Sequence, residues 1–288
     1  MASASSQVDV TKEIIVVDDC SFDHTCEIVR EFQSRCTNVK LITLSDNRGP
    51  GFARNVGLAQ SVGEYIAFLD SDDYYPSESV LSSLLKVARS NNYNIVGGGL
   101  LIETVDANTG EVMVSHHINQ TAGLHEYKNC QFDGAFYRFI YRRGFLFDNS
   151  IVFPESYRFE DPPFLIDAML AAKTFCGVED FVYVYRKIKN KVDWNDFFVR
   201  DRISNVIYIL KKARVNHLDD LQYLMAKNFQ DCLKTKMLGV DFLSRLWLTL
   251  KICIMINWPL VFNVNKRKKI KVSPIKMLCL CIKGSKYD

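Results

Sequence analysis

The chain has 288 residues, of which 48% are hydrophobic and 24% are charged, and its formal net charge is +3. This composition is typical of a globular protein and excludes a disordered or fibrous one. The positive charge is concentrated in residues 266–288, which contain eight Lys or Arg and one acid. Because the basicity belongs to a tail, we expect no nucleic-acid partner.

Two features of the sequence indicate the compartment. The nine cysteines lack the paired spacing of a zinc site and occur in an odd number, which is typical of reduced thiols. The segment Met1–Gln7 has neither the basic nor the apolar region of an export signal. We therefore expect a cytoplasmic protein.

The first predicted strand ends in acid. Ile14–Val17 is a β-branched run followed directly by Asp18 and Asp19, which predicts a buried strand with carboxylates at its carboxyl end. A helix follows, and Val39–Leu44 is the second predicted strand.

A loop containing glycine, Asn47–Gly51, then leads into a short helix that carries Arg54. The backbone N–H groups of such a loop and the N-terminus of the helix favour phosphate, and Arg54 would add a fixed positive charge. A simple turn is the alternative interpretation, because most Gly-Pro-Gly stretches are only turns.

The most informative stretch is the third predicted strand, Tyr65–Leu69, which is followed by Asp70, Asp72 and Asp73. Three carboxylates within four residues repel one another unless a cation lies among them. Oxygen ligands of this kind suit Mg²⁺ or Mn²⁺. A solvated acidic turn that closes the strand is the alternative.

The alternation of strands and helices predicts the fold class. A helix from about Ser77 and a strand at Asn94–Val96 continue the pattern, whereas Leu100–Asn149 is less regular. Such an alternation predicts an α/β fold with a mostly parallel sheet and flanking helices, and both acid-ended strands then meet one edge of the sheet.

A second pair of acids, Glu160 and Asp161, opens a predicted helix that continues beyond Phe164. The pair either caps the helix by offsetting its dipole or provides a rigidly held carboxylate that accepts a proton. Val182–Arg186 is the last predicted strand.

Beyond Trp194 the sequence predicts only helices. Residues 252–264 are apolar but too short to span a bilayer, and Lys266–Lys269 follow them. This arrangement fits a helix that lies on an anionic membrane face. There are two alternatives: a core helix followed by a solvated basic tail, and a true membrane span.

Between Glu13 and Arg186 the chain resembles the inverting glycosyltransferases of family two, which have the GT-A, Rossmann-like fold. Four pieces in the expected order carry the resemblance: Ile15–Ser21; Asn47, Gly49, Ala53, Arg54, Asn55 and Gly57; Gly63–Asp73; and Glu160, Asp161 and Phe164.

The resemblance implies a role for each acid. Asp18, with Asp19 beside it, would recognise the base of the nucleotide, and Arg54 would lie near the nucleotide. The acids Asp70, Asp72 and Asp73 would form the DXD element that holds a metal on the donor diphosphate, with Asp72 or Asp73 as the direct ligand. Asp161 would be the catalytic base, supported by Glu160.

The function that follows is metal-dependent, inverting, non-processive transfer of one sugar from a nucleotide sugar, expected to be a UDP-sugar. The cofactor would be Mn²⁺ or Mg²⁺, and the acceptor a glycan or a lipid-linked molecule in bacterial surface-polysaccharide assembly. We expect the protein to lie peripherally on the cytoplasmic face of the cell membrane. The predicted domains are a transferase domain at 1–190 and a helical region at 191–288 with a basic, membrane-associating tail.

Only 13 residues precede Ile14, too few for the strand and helix with which the family normally begins. The sequence therefore predicts an N-terminally truncated domain with an unpaired strand edge. One alternative is a catalytically inactive nucleotide-sugar-binding remnant or scaffold protein. A nucleotidyltransferase is another, but its N-terminal glycine-rich segment with Arg and Lys is not found.

Overall fold

The computed structural model describes residues 1–105, 112–188, 196–235, 237, 240–267 and 272–283. The chain divides into two compact units. The first contains residues 1–130, 135–155 and 167–191, and the second contains 131–134, 156–166 and 192–288. The division expected at residue 190 stays a prediction; the observed second unit adds two short segments to the C-terminal helices.

The first unit begins with a parallel pair of strands. The elements are α1 (Ala2–Ser5), β1 (Ile14–Asp18), α2 (Thr25–Arg35), β2 (Val39–Thr43) and α3 (Pro50–Gln60). β1 and β2 pair in register from Ile14 opposite Val39 to Asp18 opposite Thr43. Among the described residues β1 has β2 as its only ladder partner.

A larger sheet of six strands completes the first unit. Its spatial order is β3, β7, β4, β8, β6, and β5 pairs with β4. Four helices and a 3₁₀ turn, Phe136–Arg138, lie between these strands in sequence. The elements are β3 (Tyr65–Ala67), α4 (Val80–Ser90), β4 (Ile95–Val105), β5 (Val112–Ile118), β6 (Gly123–Glu126), α5 (Tyr127–Cys130), β7 (Phe139–Arg142), α6 (Arg143–Asp148), α7 (Asp161–Ala172) and β8 (Thr174–Ile188).

The α/β class is confirmed, but the sheet is more mixed than the sequence predicts. β1 with β2 and β4 with β8 are parallel, whereas the other pairs of strands are antiparallel. The difference arises in the irregular stretch 100–149, which supplies β5, β6 and β7. The short connection from β4 to β5 produces one of these antiparallel pairs. In the others, β6 or β7 pairs with strands that are not its neighbours in sequence.

Three consecutive glycines let β4 lie close to its neighbours. A Cβ atom at Gly97 would lie 2.1 Å from the Phe139 ring, and one at Gly98 would lie 2.5 Å from the Asp180 carbonyl oxygen. The sequence predicts that the strand ends before these glycines. It continues through them because only glycine permits this approach of backbones.

The second unit is helical, as the sequence predicts. Its helices are α8 (Asp196–Val215), α9 (Asp219–Thr235), α10 (Phe242–Met255), α11 (Trp258–Arg267) and α12 (Pro274–Lys283). No single described helix is long and apolar enough to cross a membrane, although α10 and Trp258–Val264, bent by 82°, pass that test as a pair. The basic cluster Lys266–Lys269 extends beyond the described residues.

Candidate functional site

The acidic segment, residues 70–73, follows β3. One of its three carboxylates accepts no hydrogen bond from the described residues. Asp70 Oδ1 accepts a hydrogen bond from Arg54 Nη2 at 2.9 Å. The Arg54 side chain is only 16% exposed, and its guanidinium carbon lies 4.9 Å from the centroid of the Phe136 ring. Asp72 is exposed, and within the described part of the chain its carboxylate has no hydrogen-bond partner. Asp72 is therefore available to a ligand.

Asp73 differs, because both of its carboxylate oxygens accept hydrogen bonds from the protein. Tyr183 Oη donates to Oδ2 at 2.8 Å, and the Arg186 backbone N–H donates to Oδ1 at 2.7 Å. Burial raises the pKa of Asp73 to about 6, although the two hydrogen bonds oppose the shift. The sequence proposes Asp72 and Asp73 as metal ligands, and the structure leaves Asp72 the less committed of the two.

The partners of the acidic segment come from β8, which sequence analysis did not connect with the site. Besides holding Asp73, Tyr183 accepts a hydrogen bond from the Asp70 N–H at 3.1 Å. Arg186 Nε donates to the Asp72 carbonyl oxygen at 2.6 Å. These contacts join residues more than 100 positions apart, so no local pattern could reveal them.

Asp19 positions the loop before α3. Its two carboxylate oxygens accept hydrogen bonds from the backbone N–H groups of Arg48, at 2.8 Å, and Gly49, at 2.7 Å. Gly49 has φ of 86°, a conformation that favours glycine. From the sequence, this loop either binds phosphate or is a simple turn. In the structure, two of its N–H groups bind Asp19.

Asp18 ends β1 and is 5% exposed. Its Oδ2 accepts a hydrogen bond from the Ser21 N–H at 3.1 Å, whereas no N–H or O–H donor among the described residues reaches the buried Oδ1. Burial alone would raise the pKa of Asp18, but hydrogen bonds from Ser21 and Cys26 lower it below its usual value. An ionised, buried acceptor of this kind suits an N–H donor from a ligand.

The helix α3 connects Asp19, Asp70 and the backbone of Phe153. Asp19 fixes its N-terminal loop, and Arg54, in its second turn, holds Asp70. Asn55 binds the backbone of Phe153 through both amide atoms, at 2.8 and 2.9 Å. Four of the five acids predicted in the first unit, Asp19, Asp70, Asp72 and Asp73, are thus held by α3, the loop before it, or β8. Asp18 is held locally by Ser21 instead.

Glu160 and Asp161 belong to the second unit, which includes the first six residues of α7, whereas the rest of that helix belongs to the first unit. Glu160 is 7% exposed, and Asp161 is the first residue of α7. The segment before them is held by α8, because Asp201 Oδ2 accepts hydrogen bonds from the backbone N–H groups of Tyr157 and Arg158 at 2.6 and 2.9 Å. Asn205 Nδ2 donates to Ser156 Oγ at 2.8 Å.

The sequence alone gave no indication that Asp201 and Asn205 on α8 hold this segment. Burial raises the pKa of Asp201, against the hydrogen bonds from Arg158 and Tyr157. An acid within a helical run predicts a solvated side chain, and only the fold shows that it accepts two backbone N–H groups.

The carboxylates of the acidic segment suit a divalent cation that takes most of its ligands from substrate phosphates and water. Within the part of the chain that the structure describes, no three His, Cys, Asp or Glu side chains form a group that could hold a metal ion. Mg²⁺ and Mn²⁺ commonly use one or two carboxylates and complete their shell with substrate phosphates and water. Asp72 offers such a carboxylate, and Asp70 lies two residues before it.

Comparisons with known proteins show which family and which proteins this chain is similar to. The family model described as glycosyl transferase family 2 matches residues 1–148. The uncharacterized glycosyltransferase EpsJ of Bacillus subtilis is 30% identical over 189 residues, which cover 62% of this chain and 54% of EpsJ. The poly(ribitol-phosphate) beta-N-acetylglucosaminyltransferase TarS of Staphylococcus aureus is 34% identical over 179 residues, 60% of this chain and 30% of TarS.

The fold also has a counterpart among solved structures. The crystal structure of TarS 1–349 in complex with UDP-GlcNAc aligns with a TM-score of 0.65, covering 90% of this chain and 77% of that chain at 23% sequence identity. This likeness shows the GT-A fold. The chain spans about half of the length of EpsJ and less than a third of TarS.

Proposed function

The chain belongs to glycosyl transferase family 2, and on that premise we propose that it transfers one sugar from a nucleotide sugar to a glycan or lipid-linked acceptor. The transfer is metal-dependent, inverting and non-processive, and the expected donor is a UDP-sugar. Among its relatives, one is named as acting on poly(ribitol phosphate) and another as a succinoglycan biosynthesis protein of Rhizobium meliloti. These names support a role in bacterial surface-polysaccharide assembly.

The observation that carries the proposal is the free carboxylate of Asp72 on a segment that is otherwise firmly held. Arg54 and Tyr183 fix Asp70 and Asp73 on either side of it, and Arg186 holds Asp73 and the carbonyl oxygen of Asp72. Because its neighbours are immobilised, Asp72 would bind a ligand with little further loss of conformational entropy. A solvated acidic turn has no need of such support.

In the proposed mechanism the first unit binds and orients the donor. Asp72, with Asp70 beside it, would hold Mn²⁺ or Mg²⁺, which when bound neutralises the charge that develops on the leaving diphosphate. Asp73 anchors the segment to β8. The buried Oδ1 of Asp18 would accept an N–H donor from the nucleotide base.

The proton of the acceptor hydroxyl requires a base, because a sugar hydroxyl is a poor nucleophile. We assign this role to Asp161, with Glu160 in support. Attack of the activated hydroxyl from the side opposite the leaving group inverts the anomeric centre. One positioned carboxylate is enough for this step, and no covalent intermediate is required.

Donor binding measured by calorimetry tests the donor site. UDP- and GDP-sugars are titrated with and without Mn²⁺ into the full chain and into Asp72→Asn. We expect metal-dependent binding that the variant weakens by about tenfold or more, since one of the metal's few carboxylate ligands is lost. Asp148→Asn, an exposed acid at the end of α6, is the matched control and should bind as the parent does.

Folded parent protein that binds no donor would contradict the donor site. The variant Asp73→Asn tests whether Asp73 anchors the segment and does not bind the metal. If so, Asp73→Asn should lose thermal stability as well as donor affinity. Asp72→Asn should lose donor affinity alone.

Turnover of Asp161→Asn distinguishes an enzyme from an inactive binding remnant. We expect kcat to fall by about 10²- to 10⁴-fold while donor affinity is retained, which is the usual effect of losing a general base. Asp219→Asn, an acid in the first turn of α9, controls for the effect on the helix dipole. Donor binding without turnover in the parent chain, across glycan and lipid-linked acceptors, would favour the remnant.

A further inference from the structure

The helix α10 exposes an apolar face to solvent. Leu243, Trp247, Leu250 and Ile254 are 74, 59, 45 and 77% exposed, and their spacing of four, three and four residues places them on one side of the helix. The opposite side is buried through Leu248, Thr249 and Ile252, among others. A surface helix normally exposes polar residues, so a contiguous apolar face marks an interaction site.

A groove lined by cations borders this apolar face. It has a volume of about 450 Å³ and lies between α8 and α10, where it is lined by Arg200, Lys211 and Lys251 together with Ser204 and mostly apolar residues. Among the residues that the structure describes, no acid lines it. Asp201 follows Arg200 in the sequence, but its carboxylate accepts the backbone N–H groups of Tyr157 and Arg158. Hydrogen bonds from Ser244 lower the pKa of Asp241, the N-cap of α10, and the charge of Arg200 lowers it to a smaller degree.

Lys251 connects the groove with the apolar face. Its Nζ lies 4.7 Å from the centroid of the Trp247 ring. The cation and the indole are therefore side by side on the surface, an arrangement that suits the boundary between lipid headgroups and acyl chains.

The neighbouring helix α12 repeats the pattern. It contacts α10 through Met277 Sδ and Cys253 Sγ, 3.9 Å apart. Ile275 and Ile282 are 73 and 54% exposed, and Lys276 lies exposed beside Ile275. The sequence between α11 and α12 and after α12 adds further lysines.

We propose that the apolar face of α10 and the adjoining groove of Arg200, Lys211 and Lys251 form a docking surface for an anionic lipid bilayer. The apolar side chains enter the headgroup region, and the three cations bind lipid phosphates. This surface lies wholly within the second unit and does not depend on the proposed function of the chain.

The charge of the surface identifies the occupant. A second copy of the chain would bring the same cations face to face, whereas an anionic bilayer neutralises them. An apolar face combined with cations is also the pattern of helices that lie in the plane of a membrane interface.

Co-sedimentation of the full chain with vesicles tests the proposal. The vesicles consist of phosphatidylcholine alone or of phosphatidylcholine with phosphatidylglycerol. We expect binding to the anionic vesicles that weakens as salt is raised. The double variant Trp247→Gln/Ile254→Gln should bind them roughly tenfold or more weakly, because two large apolar side chains no longer enter the lipid.

A charge variant tests the groove separately. Arg200→Gln/Lys211→Gln should lose most of the preference for anionic over neutral vesicles. Val215→Gln, which replaces a 77% exposed apolar residue at the end of α8, is the matched control and should bind as the parent does. Brominated lipid should quench tryptophan fluorescence in the parent and less so in Trp247→Phe.

Three results would overturn the proposal: no binding to either vesicle, equal binding to both, or unchanged binding by the Trp247→Gln/Ile254→Gln variant. A dimer detected by light scattering in the parent and lost in that variant would assign the apolar face to a second copy. Circular dichroism confirms that the variants are folded. Donor calorimetry on the same samples separates a failure of this proposal from a failure of the donor site.

Discussion

Tyr183 is the residue on which the geometry of the acidic segment depends. Its hydroxyl accepts a hydrogen bond from the Asp70 N–H and donates one to the buried carboxylate of Asp73. Its ring also stacks on Tyr137, with centroids 4.3 Å apart. One side chain thus fixes both ends of the segment that carries Asp72.

The variant Tyr183→Phe removes the hydroxyl and keeps the ring. We expect the free energy of unfolding to fall by about 1–3 kcal/mol, because Asp73 and the Asp70 N–H each lose a hydrogen bond in a buried place. Donor affinity should fall as well, since the support of Asp72 is loosened. Denaturant unfolding and donor calorimetry measure the two effects.

Tyr75→Phe is the matched control. Tyr75 is buried and its ring meets that of Tyr183 edge-on at 6.3 Å, but its hydroxyl has no hydrogen bond within the described ranges. Its variant should be as stable as the parent or more so. An equal loss in both variants would argue against a special role for the Tyr183 hydroxyl.

At the level of elements, the pairing of β4 with β8 is the scaffold for the site, because β8 carries Tyr183 and Arg186. The two strands are parallel, and their register shifts at Gly97–Leu100. The glycines allow the backbones to approach, so the position of β8 depends on residues that have no side chain.

Gly98→Ala should disturb this pairing. Its Cβ would lie 2.5 Å from the Asp180 carbonyl oxygen and 2.6 Å from a Val182 methyl group. Backbone has to shift to make room, and we expect the free energy of unfolding to fall by about 1–3 kcal/mol. Gly144→Ala, where a Cβ meets nothing within 4 Å, should change it by less than about 1 kcal/mol. Similar thermal unfolding curves for the two variants would contradict the close approach.

The helix α8 positions the segment that ends in Glu160 and Asp161. In Asp201→Ala the N–H groups of Tyr157 and Arg158 lose their shared acceptor. We expect kcat to fall by about tenfold or more, because a displaced base is a poor catalyst. Donor affinity should not change.

The conservative variant Asp201→Asn keeps an oxygen at this place and should recover much of the activity. A purely structural defect would lower the thermal stability of both variants without this difference in kcat. Asp231→Ala, on α9, removes an acid that pairs with Lys234 at the surface and serves as the control for lost charge.

For the whole molecule, the proposed chemistry depends on a divalent cation that the protein holds with few ligands of its own. Chelation with EDTA should therefore lower turnover by about 10²-fold or more, and added Mn²⁺ or Mg²⁺ should restore it. Vesicle binding should persist in the chelator, since it depends on the second unit. Full turnover in metal-free buffer would contradict metal dependence.

The sequence by itself determined the α/β class, the two strands that acids follow and the helical character of the C-terminal region. These follow from local patterns: an apolar run before Asp70 predicts a buried strand, and helical spacing predicts a helix. The third strand is shorter than predicted, because β3 ends at Ala67 and only Ile66 within it is buried. The motifs in order also identified the family. Such information lies within short windows of the chain, where periodicity and residue type suffice.

Only the tertiary structure decided which carboxylates are free. Asp19 and Asp73 resemble Asp72 in sequence, yet both of their oxygens accept backbone or tyrosine hydrogen bonds, and the donors to Asp73 lie more than 100 residues away. The same holds for α10, which has apolar residues on both sides, so that periodicity could not tell the buried side from the exposed one. A side chain's availability depends on the partners that distant segments bring to it, and these exist only in the folded chain.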